Sequence, residues 1–542
     1  MADQLRRIII NGWIVAGLFG AFAYLVVAGP APLDVTNVGW IFTKGDISTA
    51  QTGWDFYRHA PWSAQIALNP AYGMDYSGSI IFSDAVPLMA IPFKALSPLL
   101  PEPFQYFGLW TFLSFVLQGI FGWHLMARAT DNPVARILGA VIISLTPLYC
   151  YRLVSCTHMS LTAHWLVLAG LCLCLPPHTR RPWLWWGLLL PAAAFTHIYL
   201  FGMVAALWCA DIARRLYLDL RKAAPEAIGV PVVTGALIWL TGVWNGPAGV
   251  HQGGFGWFKM NVFALIDPNG WTGTPIDRPG WSFILPDLPN WGGDFEGFAF
   301  LGLGGIALIG TALWFARGAV RGVEWRAFIP YAPLAAALIG MAIFAVSQNV
   351  TFGAKNFHLW WPGPLQALGE LFRSTGRFIW PLYYTLFFAA VFVIARQTSA
   401  RMLAIILAGV AVIQAVDTSR GWLHDSPYLH VRGGGYASKF IAPFWSQAGT
   451  RYGAIRIAPH SLDHYLDIAT FARSHNMTTD SAYLSRTSTE ATEASRQRTE
   501  QAIVSGKWPS DTLFILDDDA ARRASATLDR TRNFLARADG VI

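Results

Sequence analysis

Runs of about 20 uncharged residues recur along most of this chain, and no water-soluble core can bury so many of them. At 1.5 Å of rise per residue, each is near the length an α-helix needs to cross a bilayer. They fall near 8–28, 104–127, 134–150, 153–175, 183–213, 228–245, 298–316, 328–346, 378–395 and 402–416. Only 13% of the residues are charged, about half the share usual in a soluble domain. The predicted class is mainly α, a polytopic α-helical membrane protein. The formal net charge of +7 does not call for an anionic partner, because the basic residues sit between apolar runs, where orientation in the bilayer explains them. Nothing resembles a nucleic-acid module.

The N-terminus reads as an uncleaved anchor: Arg6-Arg7 precede a run from Ile8 that is too long for a signal-peptide core. Two stretches are ambiguous. Residues 79–97 are long enough to span but contain Asp84, Pro87, Pro92 and Lys94, and residues 183–213 are interrupted at Thr196-His197. If 79–97 does not span and 183–213 is a hairpin of two helices, one side collects Arg6/Arg7, Arg128/Arg136, Arg180/Arg181, Arg214/Arg215/Arg221/Lys222, Arg317/Arg321/Arg326 and Arg396/Arg401. That is the positive-inside pattern. It gives about eleven transmembrane helices, a cytoplasmic N-terminus and three long outer loops, 29–103, 246–297 and 347–377. Residues 79–97 then lie on or dip into the outer leaflet, where protein or water must satisfy their backbone.

Near Asp417 the charge density rises and the apolar runs shorten. Tyr452–Ala458 and Thr512–Leu516 read as strands, Leu462–His475 and Thr489–Ser505 as helices. The expected division is a membrane module, 1–417, and a small extracytoplasmic α/β domain, 418–542. Cys172, Cys174 and Cys209 lie in apolar runs as packing residues, and Cys150 and Cys156 flank one loop, paired or free. No Cys/His spacing matches a zinc site.

Three stretches carry a family resemblance: Gly45-Asp46-Ile-Ser with Gly53-Trp54-Asp-Phe-Tyr57-Arg58; Phe295-Glu296-Gly297-Phe298; and Phe372-Arg373-Ser-Thr-Gly376-Arg377-Phe378-Ile-Trp380-Pro381. With the layout above, the chain resembles the GT-C superfamily of integral-membrane glycosyltransferases and, more closely, a family of uncharacterised bacterial polytopic membrane proteins. The resemblance implies an acidic base in the first outer loop, matched here by Asp46. Many members carry a second acidic residue in the second outer loop. The stretch Tyr149–Met159 has none and offers Arg152 and His158 instead, which leaves a divalent metal without the carboxylates it would use.

Each candidate has a chemical role and a structural one. A carboxylate at Asp46 can take the proton of an attacking sugar hydroxyl; it can equally cap the helix it precedes. Asp55 is the second candidate base, with an ion pair to Arg58 as its structural role. Asp84, on the Pro-broken segment, is a further acidic candidate. Arg373 and Arg377, spaced i, i+4, would share a helical face and grip a lipid phosphate in bidentate fashion, or else snorkel or pair with Glu370. Arg152 joins them as a phosphate ligand. Trp54, Tyr57, Arg58, His158, His197 and Glu296 complete the substrate-binding set, with His164 ranked behind the other two histidines and Glu296 alternatively capping the next helix.

The expected activity is an inverting transfer of a sugar from a polyprenyl-phosphate donor to a cell-envelope glycan, glycolipid or protein, on the outer face of a bacterial inner membrane. The alternatives are a transporter or flippase of lipid-linked glycans, which needs no base, and a non-catalytic scaffold.

Overall fold

The structure, a computed structural model, describes residues 11–43, 45–76, 78–243, 254–269, 279–319, 325–458, 463–487 and 489–542. Arg6, Arg7, Trp271 and Arg321 lie outside the described residues. Along the chain run α1 (Gly12–Val27), α2 (Ile47–His59), α3 (Pro87–Ala95), α4 (Phe107–Met126), α5 (Pro133–Ser144), α6 (Pro147–Val154), α7 (Trp165–Cys174) and α8 (Pro182–Ala194). Then follow α9 (Ile198–Leu218), α10 (Leu220–Trp239), α11 (Gly302–Ala319), α12 (Ala332–Val346), the antiparallel hairpin β1 (Asn349–Phe352) and β2 (Lys355–His358), α13 (Gly363–Phe372), α14 (Trp380–Gln397) and α15 (Ala400–Asp425). The remainder contains α16 (Pro443–Arg451), β3 (Ala454–Ala458), α17 (Tyr465–Ser474), β4 (Thr478–Thr479), α18 (Thr489–Ser505), β5 (Thr512–Leu516) and α19 (Asp518–Thr527).

The chain is mainly α, and each run read as a span contains a helix. Their lengths differ from the expectation. Among the described residues, Phe107–Met126, Phe328–Val346, Thr375–Gln397 and Ala400–His430 are long and apolar enough to cross a bilayer, and the bent pair α5–α6 would make a fifth crossing. Gly12–Val27, Met159–Cys174 and Gly302–Arg317 are apolar but shorter. Proline breaks one run, Pro147 starting α6 after a bend, whereas α10 continues for 20 residues with Pro225 and Pro231 in its interior. The 183–213 run divides between α8 and α9, where the His197 ring accepts a hydrogen bond from the Tyr199 backbone N–H (3.2 Å) and so caps α9. The 79–97 stretch forms only a short 3-10 turn and the nine-residue α3, well short of the ~20 residues of a span.

The chain divides into two compact units. The first comprises Met1–Val35, Tyr106–Gly235 and Gln252–Val431. Within it α1 packs along α4, at a contact so close that a Cβ on Gly119 would lie 2.2 Å from the Ala16 carbonyl oxygen. Helix α15 runs on to Asp425, past the sequence boundary. Asp417 is buried inside this unit, accepting from the Ser282 hydroxyl (2.8 Å) and the Phe283 N–H (3.0 Å). A buried carboxylate so bonded is a packing element, although in the sequence it reads as the onset of polar chain.

The second unit comprises Thr36–Gln105, Ala236–His251 and Arg432–Ile542. Its sheet is parallel, in the order β4-β3-β5. The segment Thr36–Gln105 is built into it. Thr479 of β4 exchanges backbone bonds with Ala71 and Gly73, both 2.9 Å, which covers the edge of a two-residue strand. Phe56 and Tyr72 share one hydrophobic core with Trp445, Ile455, Ile457, Ile468, Phe471 and Ile515. A division at 417/418 therefore separates segments that bury each other's apolar surface.

Candidate functional site

In the first unit, two of the three resemblance-bearing stretches meet. Arg152 comes from α6, Glu296 from the 3-10 turn Asp294–Gly297 and Arg377 from the 3-10 turn Thr375–Ile379. Arg377 forks onto the Glu296 carboxylate, Nε to Oε2 at 3.0 Å and Nη2 to Oε1 at 2.7 Å. Arg152 donates from Nη1 to the same Oε2 (2.8 Å) and from Nη2 to the Glu296 carbonyl oxygen (2.6 Å). All three side chains are buried, with exposures of 0% for Arg152 and 7% for each of the others. Burial alone would raise the Glu296 carboxyl, but Arg377 and Arg152 beside it hold it well below the usual carboxylate range.

The backbone makes this contact possible. A Cβ on Gly376 would sit 2.6 Å from the Gly297 Cα, so the two turns approach closer than any side chain allows. Beside them Lys259 pairs with Asp294 at 3.3 Å, and Asp294 also accepts from Asn261 and the Trp291 N–H, both 2.9 Å. Arg377 lies over the Tyr199 ring (4.5 Å) and Arg152 over Trp380 (5.3 Å). The His158 backbone N–H donates to the Arg152 carbonyl (3.1 Å).

Three expectations change here. Glu296 neither caps the helix that follows nor lies open to an acceptor; it anchors two arginines. Arg152 and Arg377 direct their forks at that carboxylate. Arg373 and Arg377 do not share an α-helical face, because Arg373 ends α13 with φ +30° and Arg377 belongs to the following 3-10 turn. Among the described residues Arg373 has no carboxylate partner; its partly buried guanidinium lies over the Phe258 ring at 5.2 Å. His164 is buried, stacked on Trp380 (3.9 Å) and bonded to the Tyr384 hydroxyl (2.7 Å), as a packing histidine is. Cys150 and Cys156 are both free thiols, and Arg152 Nη1 lies 3.8 Å from the Cys156 sulfur.

In the second unit, the first-loop candidates separate into an interior set and a surface set. Trp54 and Tyr57 are wholly buried, donating to the Phe104 and Ile66 carbonyls respectively (3.1 and 2.5 Å). Arg58 is also buried, bonded to Ser97 and the Pro101 carbonyl (both 3.2 Å) and paired with Glu102 at 3.6 Å. These three hold the loop together, which corrects their assignment as sugar contacts. They are buried because α2 is enclosed on nearly every side, as a helix inside a small core must be. Lys94 is caged between Tyr57 (4.1 Å) and Trp62 (4.7 Å), and burial holds its amine down to about 8.

Asp55 accepts from Gln51 Nε2 (2.8 Å), while Arg473 donates to its backbone oxygen (2.9 Å). Desolvation pushes its carboxyl up to about 7, against the pull of Arg473 and Arg58. Asp84 sits at φ +55°, two residues before Val86 at φ +48°, a conformation that β-branched residues avoid. Asp46 precedes α2, after Gly45 at φ +62°, and is partly exposed. Its side chain makes no capping bond to the helix; Ser48 and Thr49 turn their hydroxyls back onto the Gly45 and Asp46 carbonyls (3.0 and 2.6 Å). Ser48 also meets Tyr465 of α17, hydroxyl to hydroxyl at 3.0 Å.

Among the described residues, no group of three His, Cys, Asp or Glu side chains is placed to hold a metal ion. A cavity of about 540 Å³ lies along β5, between Trp508, Phe514 and the tail residues Arg532 and Phe534. Its lining includes no Asp or Glu side chain.

Apolar helices, a buried charge cluster and a parallel α/β sheet define a mainly helical protein of membrane type with an appended α/β fold. The chain belongs to the family described as "Domain of unknown function (DUF6311)", which it matches over residues 17–419, and residues 444–542 match the DUF6311 C-terminal domain. No curated protein matches it.

Proposed function

We propose that this protein is a GT-C-type inverting glycosyltransferase of a bacterial inner membrane. It moves a sugar from a polyprenyl-phosphate donor to an envelope acceptor on the outer face, and eleven spans with a cytoplasmic N-terminus and an outward C-terminal segment belong to the same proposal. The observation that carries it is the setting of Asp46. The carboxylate is partly exposed at the start of α2, beside a phenol of α17, while neighbouring hydroxyls engage the first turn of the helix. In the reaction, Asp46 takes the proton from the acceptor hydroxyl as its oxygen bonds to the anomeric carbon. The bond from that carbon to the phosphate oxygen breaks, and polyprenyl phosphate leaves with the electron pair.

Arg373 is the group suited to the donor phosphate. A guanidinium already forked onto a buried carboxylate has little left to offer a ligand, which sets Arg377 and Arg152 aside. Arg373 keeps its fork, and its backbone is held in a region that few non-glycine residues adopt, as strained residues at ligand sites often are.

The test is Asp46→Asn in the native membrane. The amide keeps the shape, so folding and donor binding should be unchanged while transfer falls about 10²–10⁴-fold. Envelope glycosylation at the wild-type level, with normal protein abundance, would overturn Asp46 as the base.

A further inference from the structure

The two edges of the C-terminal sheet are treated differently. The β4 edge is covered, because Thr479 exchanges backbone bonds with Ala71 and Gly73 in parallel register at Tyr72. The other edge is β5. The Asp511 carbonyl accepts from the Gly453 N–H (2.9 Å) and the Asp517 N–H donates to the Ala458 carbonyl (3.0 Å), so the odd-numbered residues turn their main chain to β3. Main-chain groups alternate between the two sides of a strand, which turns Thr512, Phe514 and Leu516 outwards. Leu516 is met there, its N–H donating to the Ile542 carbonyl (2.6 Å). Thr512 and Phe514 meet no main-chain partner on that side among the described residues.

The tail that could cover them is committed elsewhere. Ala538 and Val541 bond to each other in both directions (2.9 and 3.1 Å), and the Asp539 carboxylate accepts from the Ile441 and Ala442 N–H groups at the start of α16 (2.7 and 2.8 Å). The open stretch of β5 and this tail both line the 540 Å³ cavity, whose volume is in the range that holds ligands. Its lining is apolar on both faces of the sheet. Phe444 packs against the core of α16 and α17, and Trp508 against that of α18 and α19. Its charged lining side chains are Arg451 and Arg532. Arg451 is exposed and has no carboxylate partner among the described residues, while Arg532 reaches Asp529 at 3.8 Å, both of them exposed.

We propose that this open edge is a docking site for an extended peptide segment of another protein, with a short apolar centre and acidic flanks, added as a further strand beside β5. The main chain decides the class of ligand. Thr512 and Phe514 each present a carbonyl as well as an N–H, and a peptide strand satisfies both. A small anion would meet the two carbonyl oxygens with no proton to give them. Alternate side chains of an added strand point to opposite faces, where the Phe444 and Trp508 sides each offer apolar surface. The arginines, with no Asp or Glu in the lining, favour acidic residues at the ends of the segment. The same sheet already takes a strand segment at its β4 edge, so addition at β5 repeats a contact that the fold makes once. The site stands apart from the glycosyltransferase reading and does not depend on it.

The experiment is saturation-transfer NMR on the purified full-length protein in nanodiscs, with empty nanodiscs as the blank. The probe is the blocked peptide acetyl-Glu-Val-Phe-Val-Glu-amide. Two further forms carry N-methyl groups on one or the other set of alternate residues, and a third replaces both Glu by Lys. The parent should receive saturation from the protein. One of the N-methylated forms, whichever blocks the edge that faces β5, should bind about tenfold more weakly for the hydrogen bonds it loses. The Lys form should be weaker by about tenfold, and Arg451→Glu should weaken the parent by a similar factor. Arg451 is exposed, so its reversal should leave the unfolding midpoint in place, and Arg532→Glu serves as a second variant should it not. No binding of the parent, or binding of both N-methylated forms at the parent's affinity, overturns strand addition. Binding that N-methylation spares and Arg451→Glu abolishes would identify the cavity as a site for small anionic amphiphiles instead. Equal binding of the Lys form overturns the acidic class.

Discussion

Changing Glu296 to Gln is the sharpest test of the buried charge cluster. The amide keeps the side chain's volume but removes its charge, leaving Arg152 and Arg377 in an interior where their exposures are 0% and 7%. Removing one partner of a buried pair costs about 3–5 kcal/mol, mostly because the remaining charge has lost its solvation without compensation. At about 2–4 °C per kcal/mol for a chain segment of a few hundred residues, the unfolding midpoint should drop by roughly 6–20 °C. Thermal unfolding of the detergent-solubilised full-length protein, followed by tryptophan fluorescence, reads this directly. A second substitution, Arg377→Gln, should add much less to Glu296→Gln than it costs alone, because both act on the same bonds. The carboxyl is held well below its ordinary 4.5, so its contribution is complete above that value and fades only as pH falls through the lower native one. The gap between wild type and variant should therefore be constant from about pH 5 to 8. A Glu296→Gln midpoint indistinguishable from wild type, or strictly additive losses in the double variant, would refute the triad.

Asp55 works in the opposite sense: its native value of about 7 lies above its ordinary 3.8, so its contribution is present in full below the ordinary value and is lost as pH rises through about 7. Asp55→Asn should make the midpoint less pH-dependent between about pH 5 and 8 by the equivalent of about 1–2 kcal/mol, after allowance for solvent around a partly buried group; an unchanged slope counts against the shift. Arg373→Lys should weaken binding of undecaprenyl phosphate about tenfold without moving the unfolding midpoint, since an ammonium cannot reproduce the planar fork; equal affinity would remove Arg373 from the donor site. In a cysteine-free background, Trp360→Cys and Ser510→Cys should react with a membrane-impermeant maleimide in intact cells and Lys222→Cys only after permeabilisation, and the reverse pattern would invert the proposed topology.

The helices were legible because an uncharged run is a local property of sequence. The break at Thr196-His197 and the strand at Thr512–Leu516 were legible for the same reason. Span length was less so, since a short apolar helix and a full crossing share one composition. The partners of Glu296 were not legible at all: Arg152 stands 144 residues away and Arg377 81 residues away, and no periodicity links them. Trp54 and Tyr57 misled for a physical reason. Aromatic residues in a polar loop suit sugar stacking, but a loop long enough to bury its own helix uses them first as core.

The cluster also bears on charges that run against the orienting bias of the chain. On the proposed topology Arg152, from α6, and Arg377, from the turn after α13, lie towards the outer face, where arginine is disfavoured, and read singly they suggest ligand contacts. Paired through one carboxylate, the three groups carry a net charge of +1 rather than +2, and that charge is spread over the Glu296 carbonyl and the faces of Trp380 and Tyr199. The bias applies to charges that face lipid head groups, and a fork satisfied inside the protein does not. Lys259 with Asp294 repeats the device next door, in a pair that is neutral overall. Arg373 is different in kind, because among the described residues it has no carboxylate partner and its guanidinium lies over the Phe258 ring. On the proposed glycosyltransferase reading the donor's phosphate supplies the counter-charge, with two oxygens in the plane of the fork.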